Sequence, residues 1–201
     1  MDYTKHNDKA MSWLKGNLDE ERLLHSLGSA QTAAELAIKF NVDEKRAYIA
    51  GLMHDCAKCL EKEKLLEIAQ NIEGLKEDEK ANIKVIHAPV SAYLAQTEFG
   101  IDDEEILSSI RWHTLGKKDM TLFEKIVFLA DKIEPNTRDL DFRDRIMLFL
   151  DDENNLENGL ENGLNRALLI CYKETIKSLV VRDLKICHDT IDIYNSMLIK
   201  S

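Results

Sequence analysis

Apolar and polar positions alternate with a period of three to four residues along nearly the whole chain, and the two-residue alternation of strands is almost absent, so the pattern predicts helices throughout. Leu27, Ala30, Ala34 and Ala37 recur at helical spacing over roughly 20–39, and the polar "NVD" that follows ends the segment. Asp43 is placed to cap a second helix running to about Leu60. On it Ile49, Met53, Cys56 and Leu60 form one stripe, and Ala47, Ala50, His54 and Ala57 another, which predicts burial nearly all round. After an acidic, polar stretch (73–82), Pro89 predicts a helix start, with His87 just ahead of the N-terminus and "VSAYLAQTEFG" as the helix. "DDEEILSSIRWHTLG" reads as the next helix, acidic at its start and closed by Gly116. Thr121 and Glu124 have the spacing of a capping box for "TLFEKIVFLADKIE", which Pro135 terminates. From about 156 a short local duplication, "LENGLENGLNRAL", leads into a helical pattern that continues to the C-terminus. With two prolines, eight glycines, no linker and no domain-scale repeat, the sequence predicts a single all-α domain over 1–201, its core motifs at about 20–140 and its C-terminal helices at about 156–200.

The chain of 201 residues is long enough for a full core, and 44% hydrophobic with 32% charged residues is an ordinary globular balance. A formal charge of −10 repels nucleic acid and anionic membrane, so any polyanionic substrate must be met by local positive charge. No apolar run approaches the roughly 20 residues of a membrane span, and the first residues lack the apolar core of a secretion signal. The expected location is the cytoplasm. Cys56 and Cys59 form a C-x-x-C without a second such pair, so they and Cys171 and Cys187 read as small buried hydrophobes rather than as a structural zinc site.

The chemistry lies in polar groups on apolar stripes. His25 lies beside Gly28 and Ser29; His54 and Asp55 are adjacent; His113 shares a stripe with Ile106 and Ile110; Asp131 is embedded in "IVFLADKIE". Burying such groups unpaired costs several kcal/mol, on the order of isolated polar burial. A lone inward histidine is usually a hydrogen-bonded core residue, and a lone aspartate pairs with a lysine. Four helices that each turn such a group inward point instead to one bound cation satisfying all of them. A mixed set of imidazoles and carboxylates suits Fe, Mn or Zn and fits an all-oxygen Mg or Ca cage poorly.

His25, the His54-Asp55 doublet and Asp131 resemble the metal-binding signature of the HD-domain phosphohydrolases. "HSLGSAQTAAELA", "AGLMHDCAK", "HAPVSAYL", "IRWHTLGKKDMTLFEKIVFLADKIEP" and "DTIDIYN" together resemble the YqeK family, bacterial enzymes that cleave dinucleoside tetraphosphates symmetrically. The resemblance implies an HD-domain helical bundle with a buried metal site, iron in the family, held by His25, His54, Asp55 and Asp131. It implies hydrolysis of diadenosine tetraphosphate to two ADP, with Asp55 orienting or deprotonating the attacking water. His87 and His113 match two family histidines beside the cleaved phosphates, where they contact phosphate or help hold a second ion; His87 ahead of a helix N-terminus would suit an anion. Lys58 matches the lysine of the family's H-D-x-x-K stretch, and Thr114 is placed to donate a hydroxyl to phosphate. The family arginine two residues after the proline is replaced here by Thr137, with Arg138 one place later. Lys177 and Arg182 fall in the stretch that forms part of the family's nucleotide pocket. Rival readings are an HD phosphohydrolase of mononucleotides or cyclic nucleotides, a non-catalytic nucleotide-binding module, and a helical adaptor. The exposed stripes after 156 permit a homodimer without demanding one.

Overall fold

Short polar side chains start most of the helices. Asp19, Asp43, Asn82, Asp103, Thr121 and Asp139 each accept a hydrogen bond from a backbone N–H two or three residues on, satisfying donors that a helix start leaves free. The computed structural model describes residues 3–151 and 159–199; the first three residues of the duplication, 156–158, lie outside the described residues. In chain order the helices are α1 (Tyr3–Asn17), α2 (Glu20–Lys39), α3 (Glu44–Met53), a 3-10 helix (Cys56–Cys59), α4 (Lys62–Ala69), α5 (Glu77–Lys80), α6 (Ile83–Thr97), α7 (Glu104–Trp112), α8 (Leu122–Ile133), α9 (Leu140–Leu150), α10 (Gly159–Val181) and α11 (His188–Ile199). Among the described residues there is no strand, as the periodicity predicts. The capping box of Thr121 and Glu124 forms in both directions.

Three helix ends differ from the pattern, and all three adjoin candidate site residues. The helix capped by Asp43 stops at Met53 rather than at Leu60. His54 folds back so that its Nδ1 donates to the Gly51 carbonyl, Asp55 leaves helical geometry at φ −107°, and the Ala57 N–H goes to the Ser91 hydroxyl of α6. Side-chain bonds thus replace the helical ladder. Pro89 lies inside α6, so His87 is on the helix and not ahead of its N-terminus. Asn82 provides the true cap, and burial of Val85, Ile86, Ala88, Val90 and Leu94 holds the helix through the bond that proline cannot make. The anion argument for His87 therefore falls. Finally, α7 ends at Trp112, and His113 to Leu115 form a turn closed by Gly116 at φ +75°. The Tyr172 hydroxyl of α10 donates to the Leu115 carbonyl across that turn, and a Cβ on Gly116 would stand 1.9 Å from it.

The centre of the molecule is a layer of α2, α3 and α8 around Ile49, Leu52, Met53, Phe123, Ile126 and Leu129. A Cβ on Gly51 would lie 2.7 Å from the Ser29 carbonyl oxygen and 2.8 Å from the Ala30 Cα, so α2 and α3 touch backbone to backbone. That contact brings His25 and His54 within reach of each other. α10 covers α8, with Tyr172 stacked on Phe128 at 5.4 Å. Cys56, Cys171 and Cys187 are buried and Cys59 is half-buried, all as free thiols. Burial pushes the Cys171 thiol up to about 12, which leaves it an inert hydrophobe at neutral pH. No described helix is long and apolar enough to cross a membrane.

Candidate metal centre

Six buried side chains from five places in the chain converge. His25 projects from α2, His54 and Asp55 from the break after α3, His87 from α6, His113 from the end of α7, and Asp131 from the last turn of α8; none is more than 7% exposed. His25 Nε2 lies 3.2 Å from His54 Nε2, 3.0 Å from Asp131 Oδ1 and 3.5 Å from Asp55 Oδ2. His54 Nε2 is 3.3 Å from Asp55 Oδ2 and 3.6 Å from Asp131 Oδ1. Atoms that bind one ion at about 2.0–2.2 Å stand roughly 3–3.5 Å apart, which is this spacing. The other oxygen, Asp55 Oδ1, is 3.1 Å from His87 Nε2 and 3.3 Å from His113 Nε2, and those nitrogens are 3.1 Å apart. Asp55 is thus common to two groups of potential ligands.

The donor set fits a divalent cation. His54 Nδ1 donates to the Gly51 carbonyl at 2.6 Å, His113 Nδ1 to the Ile110 carbonyl at 2.8 Å, and His25 Nδ1 to Glu134 Oε1 at 3.1 Å. A proton held on each Nδ1 leaves each Nε2 a lone pair aimed into the cluster. Lone pairs of His25 and His54 then face each other beside two carboxylates, an arrangement that a cation between them relieves. Asp55 Oδ1 is buried without a hydrogen-bond partner. Burial pushes the Asp55 carboxyl up, but His54, His113 and His87 outweigh it and hold the group well below the usual carboxylate range. Burial opposes ionisation of Asp131 as well, and Lys132, Arg138, His25 and His54 overcome it. Burial takes His113 down to about 3, whereas Asp55 and Asp131 overcome burial at His54 and raise it to about 9, so that a proton and a metal cation compete for its Nε2 lone pair. Ionised carboxylates beside a neutral imidazole and a site that attracts positive charge are what metal binding requires.

Around the cluster, cations face outward into a cleft of about 590 Å³ lined by His87, His113, Thr114 and Asp131 and by Arg22, Lys58, Lys84, Lys132, Arg138 and Arg182. Lys58 Nζ is 2.5 Å from Asp55 Oδ2. Thr114 Oγ1 is 3.0 Å from His113 Nε2 and 3.3 Å from His87 Nε2. Arg138, although one place beyond the family position, donates through Nη2 to Asp131 Oδ1 at 2.6 Å and through Nε to the Asp131 carbonyl at 2.8 Å. Lys177 is not brought to the cleft: its side chain is 72% exposed and faces Glu174 at 3.8 Å. Two residues here escaped the sequence reading. Lys132 Nζ sits 2.5 Å from Asp131 Oδ2, and Glu134 is fully buried against His25. Their signals were a lysine directly after a buried aspartate, and a glutamate ending an apolar helix where solvent was the expected environment. A larger cavity, about 630 Å³ between α10, α11 and the 117–125 segment, contains none of the cluster residues.

Residues 22–136 match the HD domain family. The chain is 37% identical over 190 residues to the "Bis(5'-nucleosyl)-tetraphosphatase, symmetrical" of Bacillus subtilis, covering 94% of this chain and 96% of that protein. It is 32% identical over 188 residues to the Staphylococcus aureus protein of the same name, covering 94% and 92%. A crystal structure from Clostridium acetobutylicum, described as a "predicted HD superfamily hydrolase involved in NAD metabolism", superposes with a TM-score of 0.85 at 38% identity over 97% of this chain and 98% of that one.

Proposed function

This chain belongs to the HD domain family and, within it, to the symmetrical bis(5'-nucleosyl)-tetraphosphatases, and from that premise we propose that it hydrolyses diadenosine tetraphosphate at its centre to two ADP with a metal in the buried cluster. The observation that carries this reading is the convergence of His25, His54, Asp55 and Asp131, the last of which also lines the cation-rich cleft together with His87 and His113. These four residues hold the ion; iron is the proposed metal, and the donor set suits Mn or Zn as well. Asp55 Oδ1, His87 and His113 are the proposed holders of a second ion. The bound metal supplies Lewis acidity toward phosphoryl oxygens and water.

The remaining work falls to the chain itself. Asp55, shared by both groups, orients or deprotonates the attacking water. Attack occurs at an inner phosphorus, and ADP leaves in line. Lys58, Thr114, Lys132, Arg138 and Arg182 meet the charge that develops on the phosphates, with donors already in place costing little reorganisation. Arg22 and Lys84 extend that positive rim, so a protein of net charge −10 presents a local attraction to a polyphosphate. The substrate is a small dinucleoside polyphosphate, with neither nucleic acid nor membrane as partner, and the enzyme acts in the cytoplasm.

Symmetric cleavage has a direct signature. Metal-loaded protein incubated with diadenosine tetraphosphate should yield ADP as the sole nucleotide on anion-exchange chromatography. AMP and ATP in equal amounts, or no turnover by protein of verified metal content, would refute the assignment.

A further inference from the structure

We propose that Glu134 is a positioning residue for the metal centre, its carboxylate fixing the tautomer and aim of His25 and folding the turn that carries Arg138 to Asp131. The inference rests on the metal-centre reading above and concerns a residue outside the ligand set. Glu134 is 0% exposed at the end of α8. Its Oε1 accepts from His25 Nδ1 at 3.1 Å, from the Thr137 N–H at 2.9 Å and from the Thr137 hydroxyl; its Oε2 accepts from the Asn136 N–H at 2.7 Å. The turn is pinned to α2 from the other side, where the Asn136 amide donates to the Leu24 carbonyl at 3.0 Å.

Gly28 makes this possible. A Cβ there would stand 2.1 Å from Glu134 Oε2 and 2.9 Å from Asn136 Nδ2, so the carboxylate fills the space of the missing side chain one turn along from His25. A carboxylate behind a ligating imidazole holds the ring's orientation and strengthens its other nitrogen as a donor. The same oxygen that receives His25 also receives the Thr137 N–H, and the next residue is Arg138, whose guanidinium reaches Asp131. One buried group therefore sets both a metal ligand and the cation beside another.

The test uses full-length protein stripped of metal and reloaded with Mn²⁺ or Co²⁺. Glu134→Gln keeps the shape, loses the charge and points an amide N–H₂ at the Asn136 N–H. Gly28→Ala displaces the carboxylate while removing no polar group from the chain. Both variants should bind Mn²⁺ about 10–100-fold more weakly in competition with a chelating dye, the cost typical of losing a group behind a ligand. Both should shift the visible absorption bands of the Co²⁺ form while keeping the helical circular dichroism. Folded variants with wild-type Mn²⁺ affinity and an unchanged Co²⁺ spectrum overturn the proposal. Loss of helical signal in both variants overturns it too, by making Glu134 a fold staple; if only Glu134→Gln unfolds, Gly28→Ala decides. Wild-type protein that binds neither ion would instead overturn the metal centre itself.

Discussion

Asp55 faces two ways: Oδ2 toward His25 and His54, Oδ1 toward His87 and His113. Asp131 faces one way into the cluster and is held there by Lys132 and Arg138. Because Lys132 and Arg138 are partly solvent-exposed, their side chains can rehydrate when Asp131 is removed. Asp131→Ala should therefore abolish metal content, and lower turnover at least roughly 100-fold, given that groups merely behind a ligand are worth about 10–100-fold. Elemental analysis and activity read the loss, and unchanged helical circular dichroism shows that the fold survives. At this scale the histidines and aspartates were legible because imidazoles and carboxylates on apolar stripes need a partner. Glu134 and Lys132 were not, since glutamate and lysine near a helix end normally face water.

The helices announce themselves by period and by cap, and Asp43, Asp103 and the Thr121–Glu124 box behave as local chemistry requires. Their ends are another matter. α3 stops at Met53 and α7 at Trp112, where Ser91 of α6 and Tyr172 of α10 bond the segments that follow, and α6 runs through Pro89 because burial of its own apolar residues holds it. The backbone contact of α2 with α3 is the tightest joint behind the cluster. Gly51→Ala should cost about 1–3 kcal/mol, the usual penalty for overpacking, because the atoms it meets at 2.7–2.8 Å are backbone and cannot swing away. Gly16→Ala, which meets nothing within 4 Å, should be neutral or stabilising by up to about 1 kcal/mol. Urea denaturation of the two variants compares them directly.

For the molecule as a whole, lone pairs and ionised carboxylates gathered in the core make metal part of the fold's stability. A ligand that binds only the folded state at about 100 times its Kd adds roughly 2.7 kcal/mol. Chelation should then lower Tm by several degrees, at about 2–4 °C per kcal/mol for a chain of this length, and excess Mn²⁺ should restore it in a calorimetric scan. Asp131→Ala protein should show no such dependence.

What the sequence determined alone is whatever acts within a few residues: helical periodicity, caps, and the residue types that a metal and a phosphate chain require, recognisable together as HD-family motifs. Only the tertiary structure decided which atoms meet. It turned Lys177 outward, brought Arg138 to Asp131 through the Glu134 turn, placed His87 on a helix rather than before one, and set His25 within 3.2 Å of His54. The reason is physical. Ligand spacing is fixed to a few tenths of an ångström by how closely helices approach, and that approach depends on contacts such as Gly51 on Ser29 and Gly28 under Glu134, whose partners lie far apart along the chain.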